Sequence, residues 1–153
     1  MESVPESTNV FSWEFTVKSE DTDQNGHVNN VVYVRWMQDI AEKHSNARGS
    51  TKAMAAARRI WVVRSHNIEY LNPGFAGDLV VASTWLESFR RVKALRGSSF
   101  LRKSDNRVLA RGMTEWICVS ADTGRPCSIP EEVKIPFPET NKNAESLKVP
   151  EEL

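Results

Sequence analysis

The chain has 153 residues, 40% of them hydrophobic, which suits one domain with a core of its own. Lys plus Arg and Asp plus Glu stand at 20 each, so no net field draws the protein to nucleic acid or to an anionic membrane. No apolar run approaches the roughly 20 residues that span a bilayer. The two cysteines, Cys118 and Cys127, are too few for a zinc set or a disulfide framework, and they read as free thiols in a reducing compartment.

The opening MESVPESTNV is polar, carries Pro5 and has neither the basic nor the apolar segment of a leader. Residues 1–10 therefore read as a loose lead-in to a cytoplasmic protein, or to a mature form whose targeting segment is gone. From Phe11 to Lys18, Phe11, Trp13, Phe15 and Val17 alternate with polar neighbours at the period of a half-buried strand. SEDTDQNGHVNN follows, dense in Asp, Asn and Gly, and reads as a loop. Asn29 or Asn30 suits the N-cap of a helix in which Val32, Tyr33, Trp36, Met37, Ile40 and Ala41 fall at helical spacing. Gly49 stops this helix after about five turns. Thr51 to Arg59, rich in Ala and Arg, continues as a second helical piece capped by Ser50.

Strands then take over. Residues 60–70 form one, ended by Asn72-Pro73-Gly74, and Leu79 to Ser88 form the next, entered through Gly77-Asp78. Val92 to Arg102 follows the charged corner Phe89-Arg90-Arg91, and Ser104-Asp105-Asn106 turns the chain into Val108 to Ser120. Ser128 or Ile129 stands before a helix start at Pro130. Residues 11–138 make up the domain, and 139–153 are a polar tail expected to be poorly ordered in a free monomer.

A strand, a loop, one apolar helix and four successive strands give an α+β domain with a single antiparallel sheet. Its apolar face needs a cover, and the helix beginning near Val31 carries Tyr33, Trp36, Met37 and Ile40 for that purpose. A sheet wrapped around one long central helix is the hotdog fold.

The stretch DTDQNGHVNNVVY, residues 21–33, resembles the active-site segment of the hotdog thioesterases. In the 4-hydroxybenzoyl-CoA thioesterase-like group an Asp-x-x-Gly loop precedes the central helix, with a Tyr in its first turn. The plant acyl-acyl carrier protein thioesterases carry Val-Asn-Asn-x-x-Tyr there. Asp23, Gly26, Val28, Asn29, Asn30 and Tyr33 match at the family's spacing, and Asn72-Pro73-Gly74 with Gly77-Asp78 resembles its turn between the second and third strands. Gln38 stands where many bacterial relatives have Glu, and the acidic or Cys residue of the plant enzymes has no counterpart near Pro73.

The resemblance implies hydrolysis of an acyl-CoA or acyl carrier protein thioester, with Asp23 catalytic and with Asn25 and His27 where the plant enzymes carry their Asn and His. A thiolate leaves readily, so the chemistry needs an attacking group and a place for the oxyanion. Asp23 can act as nucleophile or as general base on water. An amide near Asn30, at the positive end of the helix, can meet the oxyanion, and Gly26 lets the loop turn tightly. Tyr33 is expected in the core or lining the acyl pocket, while His44 and His66 have no partner at a meaningful spacing and read as structural or exposed. Arg90, Arg91, Lys93 and Arg96 form a basic cluster suited to the phosphates of coenzyme A or to an acidic carrier protein. No metal cluster or cofactor motif is present. The resemblance further implies a homodimer or homotetramer, with sheets joined edge to edge and sites at the interface. Two other readings stand beside this one: a non-catalytic acyl-CoA sensor in which Asp23 caps the loop, and a hotdog dehydratase or hydratase, whose His-Phe-Pro signature is absent.

Overall fold

The computed structural model describes residues 9–137, so the tail expected over 139–153 and all but the end of the lead-in lie outside the described residues. Order is established before Phe11, because Asn9 is buried and donates its side-chain amide to Leu86 O at 2.5 Å. The elements are β1 (Phe11–Thr16), α1 (Asn30–Ala47), α2 (Ser50–Ala56), β2 (Arg59–Tyr70), β3 (Leu79–Phe89), β4 (Lys93–Arg102), β5 (Arg107–Ser120) and α3 (Glu131–Lys134), with a 3-10 turn at Ser19–Asp21. Among the described residues no helix is long and apolar enough to cross a membrane.

One five-stranded antiparallel sheet runs β1-β3-β4-β5-β2. The strands were legible, but their order in the sheet departs from sequence order. β2 pairs with β5 rather than with β3, and residues 71–78 carry the chain across the end of the sheet beneath β5 and β4. That crossing is pinned as it passes: the Leu71 amide donates to Leu109 O at 2.9 Å, and Arg102 Nη1 donates to Pro73 O at 2.9 Å.

The 18-residue α1 lies on the sheet as its periodicity requires. Val32, Tyr33, Trp36, Met37 and Ile40 face Val80, Ala82, Phe100, Leu109 and Ala110, and all ten are buried in one cluster. Close approach depends on glycine at two sheet positions. A methyl on Gly112 would stand 2.7 Å from Met37 Cε, and one on Gly97 would stand 2.3 Å from Trp85 Cε2.

Three local readings are corrected. Ser50 is the first residue of α2 rather than its cap; Gly49 holds the N-cap position with φ +77°. The second helix stops at Ala56 instead of reaching Arg59, because Arg58 takes φ +55° and turns the chain into β2. The last helix starts at Glu131 with Pro130 as its N-cap, one or two residues later than Ser128 or Ile129. The free thiols Cys118 and Cys127 are neighbours, their sulfurs 3.9 Å apart, and burial pushes the Cys118 thiol up to about 11.

Candidate active site

The loop from Thr22 to Val28 closes on itself through an isolated bridge between those two residues. Gly26, at φ +79°, makes the tight turn that its place in the sequence promised. Asp23 organises the loop from within. Its backbone carbonyl accepts the Gly26 amide at 2.9 Å, and its carboxylate Oδ1 accepts the amides of Asn25 (2.9 Å) and His27 (3.2 Å). Oδ2 has no partner among the described residues, and the residue is exposed.

The loop docks on the crossing segment. The Val28 amide donates to Gly74 O at 2.8 Å, and His27 forms a bridge with Phe75, their rings edge to face at 5.2 Å. Behind the loop, buried Asp21 holds Arg35 of α1 at 2.7 Å while its carbonyl accepts the Asn29 amide at 2.9 Å. Asn29 is the N-cap; its Oδ1 accepts the Val31 amide at 3.0 Å, and its carbonyl accepts the Val32 amide at 2.9 Å.

From Asn25 to Val32, every backbone N–H therefore has an acceptor except that of Asn30, which has none among the described residues. It is the first helical residue, at the positive end of the α1 dipole. Asn30 borders a cleft of about 210 Å³ together with His27, Tyr33, Tyr70, Asn72 and Gly74. The Tyr70 hydroxyl fixes the Asn30 carbonyl at 3.1 Å, so the peptide after Asn30 is anchored from the other side of the cleft. Tyr33 is buried, and desolvation pushes its phenol up to about 12, which keeps it protonated and makes it a wall rather than an acid or base.

The loop residues named from the sequence thus converge. Asp23, Asn25, Gly26 and His27 share one tight turn, and His27, Asn30 and Tyr33 face one cleft. Arg90 and Arg91 do not join them. Both are exposed just past the Phe89 end of β3, whereas the Asp23 loop docks on Gly74 and Phe75, ahead of the Leu79 end of that strand, whose length is roughly 33 Å at 3.3 Å per residue. Arg96 leaves the basic cluster altogether: it is buried and hydrogen-bonded to His44, which is buried too. Tyr70, Phe75 and Asn72 were not singled out for the site. Their only signal was the Asn72-Pro73-Gly74 turn, whose position under the loop depends on the β2-to-β3 crossing.

The acyl-CoA thioester hydrolase YbgC of Escherichia coli is 26% identical over 132 residues, 86% of this chain and 98% of its own. The chloroplastic oleoyl-acyl carrier protein thioesterase 1 of Arabidopsis thaliana is 23% identical over 97% of this chain, which spans 46% of that longer protein. Among solved structures, Slr0204 from Synechocystis, a 1,4-dihydroxy-2-naphthoyl-CoA thioesterase, superposes with a TM-score of 0.76 at 15% identity, covering 84% of this chain and 95% of its own, and it shares the hotdog fold. Residues 8–137 match the model of the acyl-ACP thioesterase N-terminal domain, and the chain belongs to that family within the hotdog thioesterase superfamily.

Proposed function

We propose that the protein hydrolyses an acyl thioester of coenzyme A or acyl carrier protein, with Asp23 as nucleophile or general base and the Asn30 amide as oxyanion donor. The observation that carries this reading is the Asn30 N–H at the tip of α1, which has no acceptor among the described residues and borders the same cleft as the Asp23 loop. In the general-base form, Asp23 takes a proton from water, and the hydroxyl adds to the thioester carbonyl. The oxyanion forms against the Asn30 amide. Collapse of the tetrahedral intermediate expels the thiolate and leaves a carboxylic acid. In the nucleophilic form, the carboxylate itself adds, the tetrahedral intermediate expels the thiolate to leave an anhydride, and water cleaves that anhydride to the acid and free Asp23. His27 and Asn25 orient the water or Asp23.

The names of the relatives support both thiol carriers: YbgC is called an acyl-CoA hydrolase and the Arabidopsis protein an acyl carrier protein thioesterase. Assembly into a homodimer or homotetramer is supported by β2, a 12-residue edge strand that leaves Ile60 and Val62 exposed. A second reading has one observation in its favour. Because Asp23 Oδ1 already accepts two amides, the carboxylate would serve as a loop cap in a non-catalytic acyl-CoA sensor. Thiol release from a panel of aliphatic and aromatic acyl-CoAs and acyl carrier proteins separates the two. Release that vanishes in Asp23→Asn while binding persists supports the enzyme, and binding without release by the wild type supports the sensor.

A further inference from the structure

A second cavity of about 310 Å³ opens between the C-terminal half of α1 and the far end of the sheet, bordered by Trp61, Leu86, Phe89, Arg96, Trp116 and Phe137. Its first helix residue is Gln38, eight residues and about 12 Å along the α1 axis from Asn30. It is therefore distinct from the cleft beside the Asp23 loop. Its size is at the lower end of the roughly 300–1,000 Å³ typical of small-molecule pockets.

The helices contribute the polar side chains Gln38, Glu42, Ser45 and Thr51 to the wall, and the sheet side is apolar apart from Arg96 and the indole N–H of Trp116. Arg96 is 5% exposed and has no carboxylate within ion-pair distance among the described residues. Its Nη1 contacts His44 Nδ1 at 2.9 Å and Thr84 Oγ1 at 3.0 Å. A guanidinium only donates, so His44 Nδ1 accepts, its proton sits on Nε2, and His44 stays neutral. Thr84 in turn gives its own proton to Gly97 O at 2.8 Å. Nε and Nη2 of Arg96 are left without acceptors among the described residues. Trp116 lines the same cavity, and its indole Nε1 is buried with no partner among the described residues. Glu42 at the cavity rim is exposed and makes no ion pair with Arg96.

A buried guanidinium without a counter-charge is costly, and buried charges are as a rule paired. Burial also pulls the Arg96 pKa down to about 9, which still leaves it a cation at neutral pH. The missing partner is an acceptor, and the aromatic part of the wall at Trp61, Phe89 and Phe137 suits hydrocarbon. We propose that this cavity binds a small carboxylate with an apolar body, its oxygens on Arg96 Nε and Nη2 and on Trp116 Nε1, its hydrocarbon against Trp61, Phe89 and Phe137. Arg suits this role because its fork matches both oxygens of a carboxylate. The ligand is either a free carboxylic acid or the far carboxylate of a dicarboxylic acyl group. Binding does not depend on the Asp23 chemistry.

Calorimetric titration of the full chain with octanoate and with octanol at pH 7 tests the site. The wild type is expected to bind octanoate at least tenfold more tightly than octanol. Arg96→Met, which keeps the volume without the charge, should bring the two within twofold, and Trp116→Phe should weaken octanoate several-fold. Asp23→Asn should bind octanoate as the wild type does, so loss of thioesterase activity and loss of this site are read separately. Equal affinity for octanoate and octanol, no saturable binding of octanoate, or a preference that survives in Arg96→Met overturns the proposal. Should Arg96→Met fail to fold, unchanged octanoate affinity in Trp116→Phe has the same force. The source is read from hydrolysis of suberoyl-CoA against octanoyl-CoA. A preference for suberoyl-CoA that Arg96→Met abolishes places the carboxylate on the substrate, and octanoate binding without that preference places it on a free acid.

Discussion

The His27 amide reaches Asp23 Oδ1 at 3.2 Å, so the residue assigned the chemistry also shapes the turn that presents it. The two roles separate by substitution. Asn keeps an oxygen that can accept the Asn25 and His27 amides but cannot act as base or nucleophile. Asp23→Asn should keep its melting temperature within about 2 °C and lose roughly 10²- to 10⁴-fold in kcat, the span of a general base. Asp23→Ala also removes the acceptor of both amides, and should cost about 1–2 kcal/mol more in stability, the net worth of two typical hydrogen bonds. Steady-state thiol release and thermal denaturation of the two variants check this. Full activity in Asp23→Asn would remove Asp23 from the mechanism.

Gly97 pairs across the ladder with Trp85, whose indole lies over it; the indole N–H donates to Glu87 Oε1 at 3.0 Å. A methyl 2.3 Å from the ring cannot be absorbed without moving a buried tryptophan. Gly97→Ala should destabilise by about 1–3 kcal/mol, the usual penalty of overpacking, a fall of several degrees in melting temperature. Trp85→Phe should relieve part of it, so the double variant should be more stable than the sum of the single effects. Strict additivity would show that the contact is not the cause.

Local pattern made the elements legible, because alternation in β1 and the apolar stripe of α1 report directly on burial. The Asp23 loop was legible too, since its turn chemistry is contained in a few consecutive residues. What the sequence hides is pairing over distance. Nothing local tells β2 to choose β5 over β3, and the cleft wall at Tyr70 to Phe75 depends on that choice. Arg96 shows the same limit. Beside Arg90 and Arg91 it reads as one charge among several, but on β4 its side chain faces α1 and meets His44, 52 residues earlier.

The separation of Arg90 and Arg91 from the Asp23 loop gives an expectation for substrate binding. Reversing both charges to Glu should change the KM for an acyl-CoA by less than twofold, because within one chain the corner and the segment under the loop lie past opposite ends of β3, which is roughly 33 Å long at 3.3 Å per residue. A tenfold rise in KM, shrinking at high salt, would instead mean that this corner serves the cleft of a second copy.

His44 carries a pH dependence that its position in a helix did not suggest. It is fully buried, stacked on Phe11 with ring centroids 5.2 Å apart and set edge to face with Phe137 at 4.9 Å. Desolvation first, then the charges of Arg96 and Arg48, pull its pKa from 6.5 down to about 2. The unfolded chain therefore binds a proton below pH 6.5 that the folded chain refuses, and stability falls as the pH drops. The full contribution is present above about pH 6.5 and is lost progressively toward pH 2. Each unit in that window costs up to about 1.4 kcal/mol, so roughly 2 kcal/mol disappears between pH 6.5 and 5, before most carboxylates titrate. Urea unfolding across that interval should show this slope in the wild type. In His44→Gln, which cannot charge and can still accept from Arg96, the slope should flatten by about that amount. An equal slope in both proteins would mean that His44 is charged in the fold or accessible to water.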